Sequence, residues 1–163
     1  MTYKSIFKGR LEFGSPKSFD KVLTQYQSRV ENYYKNDVLI NEEEVFDRDS
    51  SSMIIHRLIT PSCAEKTWKN TVSLLVYISQ YAVAGEFGAW LIDNGKVIYH
   101  RVIEPQSDRA AVQAFLKGRA LVEETGKHDE AISELTKAIN KFDRHALAYE
   151  RRGRVNHMLK NYE

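Results

Sequence analysis

Apolar and polar side chains alternate along residues 3–13, which is the pattern of a β-strand with one buried face. Ser15 followed by Pro16 then predicts a helix start, because the serine oxygen accepts a free backbone N–H and proline has none to lose. Apolar side chains next recur at steps of three and four. We therefore expect a helix that ends near Asn36 and buries one stripe: Phe19, Val22, Tyr26, Val30 and Tyr33.

A hairpin and a second helix are expected next. Residues 38–46 and 53–60 are β-rich runs separated by a polar stretch, which predicts two strands joined by a loose loop. Ser62 and Glu65 have the spacing of a capping box, so a helix should start at Ser62. We expect it to continue until Gly85 stops it.

A second predicted hairpin follows. Residues 87–92 and 96–103 flank Asn94 and Gly95, a pair that readily adopts the positive φ angles of a tight turn. The order strand, helix, strand, strand, helix, strand, strand predicts an α+β fold, a ferredoxin-like antiparallel sheet with two helices and one added edge strand. Because the last two strands are apolar on both faces, we expect the carboxyl-terminal helices or another chain to cover the second face.

The chain divides at residues 105–108, where a proline and small polar residues end the strand pattern. From residue 110 onward the periodicity is purely helical. We therefore expect an α+β domain of residues 1–105, whose role the pattern does not indicate, and a helical segment of residues 106–163.

The helical segment contains an internal similarity. The stretch AFLKGRALVEETGKHDEAISELTKAI is followed by ALAYERRGRVNHMLKNYE, and Gly118 recurs as Gly153, 35 positions on. Residues 111–163 thereby resemble the tetratricopeptide repeat (TPR), a pair of antiparallel helices that recurs at about 34 residues. The resemblance implies an all-α helical hairpin followed by part of a second. Two departures are Asp143, near the usual proline, and Lys160, which replaces the second turn glycine.

The resemblance also implies roles for individual positions. Gly118 and Gly153 would lie where two helices approach closely, and Gly126 would end the first helix in a left-handed conformation. Residues 161–163 would form the turn after the third helix. The remaining contacts between helices would come from Ala131, Ala138, Leu121, Ile132, Leu135 and Ile139.

Members of this family bind a peptide in a groove lined by the first helix of each repeat. Carried over by position, the partner-binding candidates are Phe115, Arg119, Val122, Glu150, Arg151, Arg154 and His157. The arginines imply an acidic peptide or partner domain. The alternative interpretation is a solvated face on which the arginines pair with nearby glutamates.

The helical segment ends before its second predicted repeat is complete. A repeat does not bury its apolar face alone, and the sequence stops where a partner helix for Val155 should begin. We therefore expect either a truncated chain that continues with downstream repeats, or an open end covered by the amino-terminal domain or by a second copy, and we favour a truncated chain that self-associates into an oligomer.

Composition and charge exclude several classes. With 42% apolar and 28% charged residues the chain is typical of a globular protein. Residues 1–105 carry 13 basic and 13 acidic side chains and residues 106–163 carry 11 and 9, so charge does not favour nucleic acid as a partner. There is no signal-peptide pattern or membrane-length apolar run, and the single cysteine suits a reducing compartment. We expect a cytoplasmic protein that does not enter membranes.

The sequence offers no strong catalytic, cofactor or metal site. An acidic run lacks the spacing and glycine of a calcium loop. His56 and His100 lie on predicted strands and would make an acid-base or metal pair only if the strands brought them together. Cys63 is expected to be buried or inert. With no phosphate loop, nucleophile elbow or zinc motif, we do not expect an enzyme. The acidic run comprises Glu42, Glu43, Glu44, Asp47 and Asp49.

Two functions therefore compete. The first is a TPR-containing scaffold or adaptor that binds a protein or peptide. The alternative is a ferredoxin-like domain that binds nucleic acid or senses a small molecule, with the repeat used for oligomerisation. Nucleic-acid binding would use exposed aromatic side chains, for which the candidates are Tyr3, Phe46, Trp90 and Tyr99. Small-molecule sensing would use the two histidines.

Overall fold

The computed structural model describes residues 1–160, which form two compact units. We call Met1–Gln106 the sheet unit and the part from Ser107 onward the helical unit. The boundary lies one residue from the predicted one. The elements in chain order are β1 (Tyr3–Glu12), α1 (Pro16–Ser28), a π-helix (Arg29–Tyr33), α2 (Glu42–Val45), β2 (Phe46–Asp47), β3 (Ser52–Cys63), α3 (Glu65–Ser79), β4 (Ala84–Asp93), β5 (Lys96–Ile103), α4 (Ala110–Val122), α5 (His128–Lys141) and α6 (Ala146–Met158).

The sheet is antiparallel, with strand order β2-β3-β1-β4-β5. β1 is the central strand and pairs with β3 on one side and β4 on the other. β3 therefore lies between β1 and β2, and β1 lies between β3 and β4. The sheet thus contains two split βαβ units, in each of which a third strand separates the two connected strands. β5 extends the sheet beyond β4. The predicted α+β class and ferredoxin-like sheet with an added edge strand are confirmed.

Helix α1 begins as predicted, and its buried stripe then changes register. Ser15 Oγ accepts a hydrogen bond from the backbone N–H of Ser18 at 3.2 Å. After α1 the chain forms a π-helix, whose turn contains an additional residue. Tyr34 is consequently buried, while Tyr33 is 65% exposed. The prediction that Tyr33 belongs to the buried stripe is wrong. The stripe on α1 itself is buried as expected: Phe19, Val22 and Tyr26.

The predicted strand at residues 38–46 is wrong for most of its length. Asn41 accepts a hydrogen bond from the backbone N–H of Glu43 and caps α2, where carboxylates favour the positive end of a helix. Side chains, not a neighbouring strand, satisfy the backbone before it: Thr71 Oγ1 accepts from the Leu39 N–H at 3.0 Å, and the Tyr26 hydroxyl donates to the Ile40 carbonyl at 3.0 Å.

Helix α3 is shorter than predicted at both ends. Ser62 does not cap it, because β3 continues to Cys63, which pairs with Tyr3 of β1. Ala64 occupies the N-cap position without a side-chain hydrogen bond. At the other end β4 already begins at Ala84. The β4–β5 turn is as expected, with positive φ at Asn94 and Gly95.

One face of the sheet forms the core of this unit with the helices. Phe7 of β1 lies 6.4 Å, between ring centroids, from Trp68 of α3. On β4 the side chains of Phe87, Ala89 and Leu91 are fully buried on this face. The edge strand β5 differs, because its residues 96–102 are exposed in the described chain. The expectation that the carboxyl-terminal helices or another chain cover the second face of these strands stays a prediction.

The helical unit consists of α4, α5 and α6. α5 packs against both of the others, and the three share a buried cluster that includes Leu135, Ala131 and Ala138, each 0% exposed. A Cβ at Gly118 would lie 2.8 Å from Cγ of Leu135, so α4 and α5 approach closely at this glycine. Gly126 has a φ of +80° in the loop between them.

One expectation for α6 needs correction. Val155 is 0% exposed and already belongs to the buried cluster, so no further helix is needed to bury it. A Cβ at Gly153 would meet nothing within 4 Å, and the predicted approach of a further helix to this glycine stays a prediction. Lys160 has a φ of +59°, the left-handed conformation of the glycine that it replaces. The predicted turn of Asn161, Tyr162 and Glu163 lies outside the described residues.

Within residues 1–160, no helix combines the length and the apolar character needed to cross a bilayer.

Candidate functional site

Two of the predicted partner-binding residues lie inside the helical unit. Phe115 is 6% exposed and Val122 is 2% exposed, and both belong to the buried cluster of this unit. His145 lies against Phe115, with ring centroids 4.6 Å apart. The placement of Phe115 and Val122 on an open groove is therefore corrected: these side chains stabilise the unit and are not available to a partner.

The other candidates lie at or near the surface. On α6, Glu150, Arg154 and His157 are exposed and follow at steps of four and three, so they share one face of the helix. Arg151 is half-buried beside them and forms an ion pair with Glu150, with Nη1 and Oε2 2.9 Å apart. Arg119 of α4 is half-buried, and its guanidinium lies 5.4 Å from the centroid of the Phe115 ring.

The charges on this face are only partly compensated. The Arg151–Glu150 pair is the local pairing that the solvated-face interpretation requires. Arg154 forms no ion pair with any of residues 1–160, and its side chain is exposed. Arg152 donates to Thr136 Oγ1 of α5 at 3.2 Å, which fixes its position between the helices. Arg154 is thus the cation on α6 that is free to meet a carboxylate.

A buried histidine caps the helix that carries this face. His145 is 1% exposed and caps α6, where its Nδ1 accepts a hydrogen bond from the backbone N–H of Ala148 at 3.2 Å. Its Nε2 is buried with no partner among the described residues. Burial lowers the pKa of His145 to about 4, because the charged imidazolium would lose its hydration. The ring is therefore neutral at pH 7.

The buried histidine predicts a loss of stability in mild acid. His145 has a pKa of about 4 when folded and about 6.5 when unfolded, so the unfolded chain takes up the proton first. The stability that neutral His145 contributes is fully present above pH 6.5, and it is lost as the pH drops toward 4. We expect the free energy of unfolding of the helical unit to be about 2 kcal/mol lower at pH 5 than at pH 7. Urea denaturation followed by far-ultraviolet circular dichroism measures it.

The matched variant for this test is His145→Asn, because asparagine also caps helices but does not titrate. The difference between pH 5 and pH 7 should largely disappear in this variant. A contribution from Glu134 is separable by its pH range: hydrogen bonding from Lys137 lowers the pKa of this carboxyl below its ordinary value of 4.5. An unchanged acid response in His145→Asn contradicts the prediction.

The histidines and acidic residues singled out in the sheet unit do not form a site. His56 lies on β3 and His100 on β5, with β1 and β4 between them, so the two are about 14 Å apart at the strand spacing. The hypothesis that they act as a pair is wrong. Within residues 1–160, no group of three or more potential ligands could hold a metal ion. Cys63 is buried, and burial raises the pKa of its thiol.

The four aromatic candidates for nucleic-acid binding do not share a surface. Phe46 packs among core rings, 5.0 Å from Tyr26 between ring centroids. Tyr99 pairs with Leu91 in the ladder and points to the helix side. Trp90 points to the opposite side, where it stacks on His100 with ring centroids 5.0 Å apart. Tyr3 packs against the core. These four side chains therefore do not form one base-stacking face within residues 1–160.

Sequence reasoning missed an apolar groove between α3 and β5. Its cavity volume is about 480 Å³, and its wall is a strip of α3 residues spaced by four, Trp68, Val72 and Val76. Tyr99 and Arg101 of β5 also line it. The signal was present in the sequence as a helix whose apolar residues occupy more than one face, combined with a following strand that is apolar on both faces.

Comparison with protein-family models, with curated proteins and with solved structures found no match for this chain. The TPR resemblance of residues 111–163 therefore rests on the residues themselves.

Proposed function

We propose that this chain is a protein-interaction module whose helical unit is a TPR-like segment that binds an acidic peptide or partner domain. The observation that carries the proposal is Arg154, an exposed cation with no ion pair among residues 1–160, on a face of α6 shared with Glu150 and His157. An arginine in this position presents a planar set of donors that matches a carboxylate.

The arrangement of small residues supports the TPR-like part of the proposal. Gly118 lies at a close approach of α4 and α5, and Ala131 and Ala138 are 0% exposed between helices. Gly126 and Lys160 have positive φ and are separated by one repeat length of about 34 residues. These placements support the TPR-like part of the proposal.

The proposed surface is smaller than the one that the sequence indicated. It consists of the exposed face of α6, with Arg151 at its side, since Phe115 and Val122 are buried. A surface of this kind recognises its partner through charge more than through apolar contact, so binding should weaken as salt concentration rises. We expect the module to act as a scaffold or adaptor without catalytic chemistry.

The test is charge reversal at Arg154. Synthetic acidic and basic peptides of equal length and hydrophobicity are titrated into the full chain. Acidic peptides should bind and should slow hydrogen exchange in α6. Arg154→Glu should raise their Kd at least about tenfold, which corresponds to about 1.4 kcal/mol.

The control is Arg57→Glu, which reverses an exposed arginine of β3 that has no ion pair among residues 1–160. Its affinity for the acidic peptides should equal that of the unchanged chain. Equal binding of acidic and basic peptides, or an Arg154→Glu variant that binds acidic peptides as the unchanged chain does, contradicts the proposal.

A further inference from the structure

The groove between α3 and β5 has an apolar wall on α3. Trp68 is 3% exposed and stacks on Tyr99 of β5, with ring centroids 5.8 Å apart and planes inclined by 20°. Val72 and Val76 continue the wall at intervals of four residues along α3. The cavity of about 480 Å³ has the size of a ligand-binding cleft, and Tyr99, His100 and Arg101 of β5 line its other side.

The floor of the groove is an edge strand. β5 pairs with β4 on one side only, and no strand within residues 1–160 pairs with its other side. Alternate residues of β5 therefore direct backbone N–H and C=O groups away from the sheet. Apolar side chains on this edge are exposed, with Val97 at 56% and Val102 at 52%. An unpaired edge that exposes apolar side chains pairs readily with another extended chain.

The charge around the groove is positive. Lys69 of α3 lies 5.0 Å, measured from Nζ, from the centroid of the Tyr99 ring. Arg101 of β5 is exposed and forms no ion pair with the described part of the chain. None of the residues that line the groove is a carboxylate. Lys69 has one acidic neighbour, Glu65, with Nζ and Oε2 3.4 Å apart at the surface.

We propose that this groove binds an extended acidic segment of a partner protein, which adds to β5 as a sixth strand. The segment's backbone forms the ladder with the free edge of β5. Its side chains on the helix side alternate in role: an apolar side chain packs against Val72 and Tyr99, and carboxylates meet Lys69 and Arg101. Main-chain bonds supply affinity in this mode, and the side-chain contacts supply specificity.

A second copy of this chain is the less suitable occupant. Antiparallel pairing of β5 with itself about its middle brings Arg101 of each copy near Arg101 of the other, and β5 contains no acidic residue to offset them. Like charges on opposed strands destabilise a ladder. Carboxylates on the incoming strand remove this repulsion, so an acidic segment is favoured. The proposal concerns the sheet unit and does not depend on the function proposed for the helical unit.

The test uses the full chain and three series of synthetic peptides of the same length as β5. Each series alternates apolar residues with acidic, neutral or basic ones. We expect the acidic series to bind most tightly and to protect β5 backbone amides from hydrogen exchange. Arg101→Glu should raise the Kd of the acidic series at least about tenfold.

Two control variants separate this site from others. Arg57→Glu, on β3, and Arg154→Glu, on α6, should both leave protection of β5 unchanged. The proposal is overturned if no series protects β5, if basic peptides bind as tightly as acidic ones, or if Arg101→Glu has no effect. It is also overturned if β5 becomes protected in the absence of peptide as protein concentration rises, because a second copy then occupies the edge.

Discussion

Replacing Gly85 with alanine is expected to lower the free energy of unfolding of the sheet unit by about 3 kcal/mol or more. Gly85 has a φ of +98° and pairs with Leu11 in the β1–β4 ladder. The positive φ alone costs alanine roughly 1–2 kcal/mol. A Cβ would also lie 2.0 Å from the carbonyl oxygen of Arg10, a backbone atom that moves only if the two strands separate.

The matched control is Gly95→Ala. Gly95 has a φ of +77°, but a Cβ there would meet nothing within 4 Å, so this variant isolates the cost of the backbone conformation. Trp68 and Trp90, the chain's 2 tryptophans, both lie in the sheet unit, and their fluorescence during urea denaturation therefore reports on that unit. Equal losses of stability in the two variants contradict a special role for the contact with Arg10.

Hydrophobic periodicity correctly predicted those helices and strands whose structure follows from the local pattern of apolar and polar side chains. The alternation along β1 and the Asn94-Gly95 turn identified strands that the sheet then aligned. The α1 stripe held until the π-helix, because a period of 3.6 residues does not anticipate an additional residue in one turn. Residues 38–46 contain β-forming side chains, but the cap at Asn41 and hydrogen bonds from α1 and α3 determine their structure.

The binding residues were harder to predict than the elements, for a different physical reason. The positions of Phe115 and Val122 in the TPR resemblance place them on a groove, but a helix side chain can be covered by any neighbouring loop. Here His145, just before α6, covers Phe115. The exposure of the charged side chains on α6 depends less on contacts with neighbouring loops. The α3–β5 groove depends on long-range strand order, which alternation within one strand does not encode.

Alanine in place of Gly118 and of Gly153, the two glycines of α4 and α6, should have opposite effects. At Gly118 a Cβ would lie 2.8 Å and 2.9 Å from Cγ and Cδ2 of Leu135, and 3.1 Å from the Leu135 backbone nitrogen. Leu135 is 0% exposed, so its side chain has no room to move away. Such overpacking costs about 1–3 kcal/mol, and it outweighs the gain of up to about 1 kcal/mol when alanine replaces glycine in a helix.

At Gly153 only the favourable part remains, because a Cβ would meet nothing within 4 Å. Gly153→Ala should therefore stabilise the helical unit by up to about 1 kcal/mol, while Gly118→Ala destabilises it. Far-ultraviolet circular dichroism during urea denaturation measures both changes, and tryptophan fluorescence should show the sheet unit unchanged. If Gly153→Ala also destabilised the unit, the face of α6 around Gly153 would be packed against another helix in solution, as the repeat resemblance implies. An acidic partner would then have to reach Arg154 at the margin of that contact.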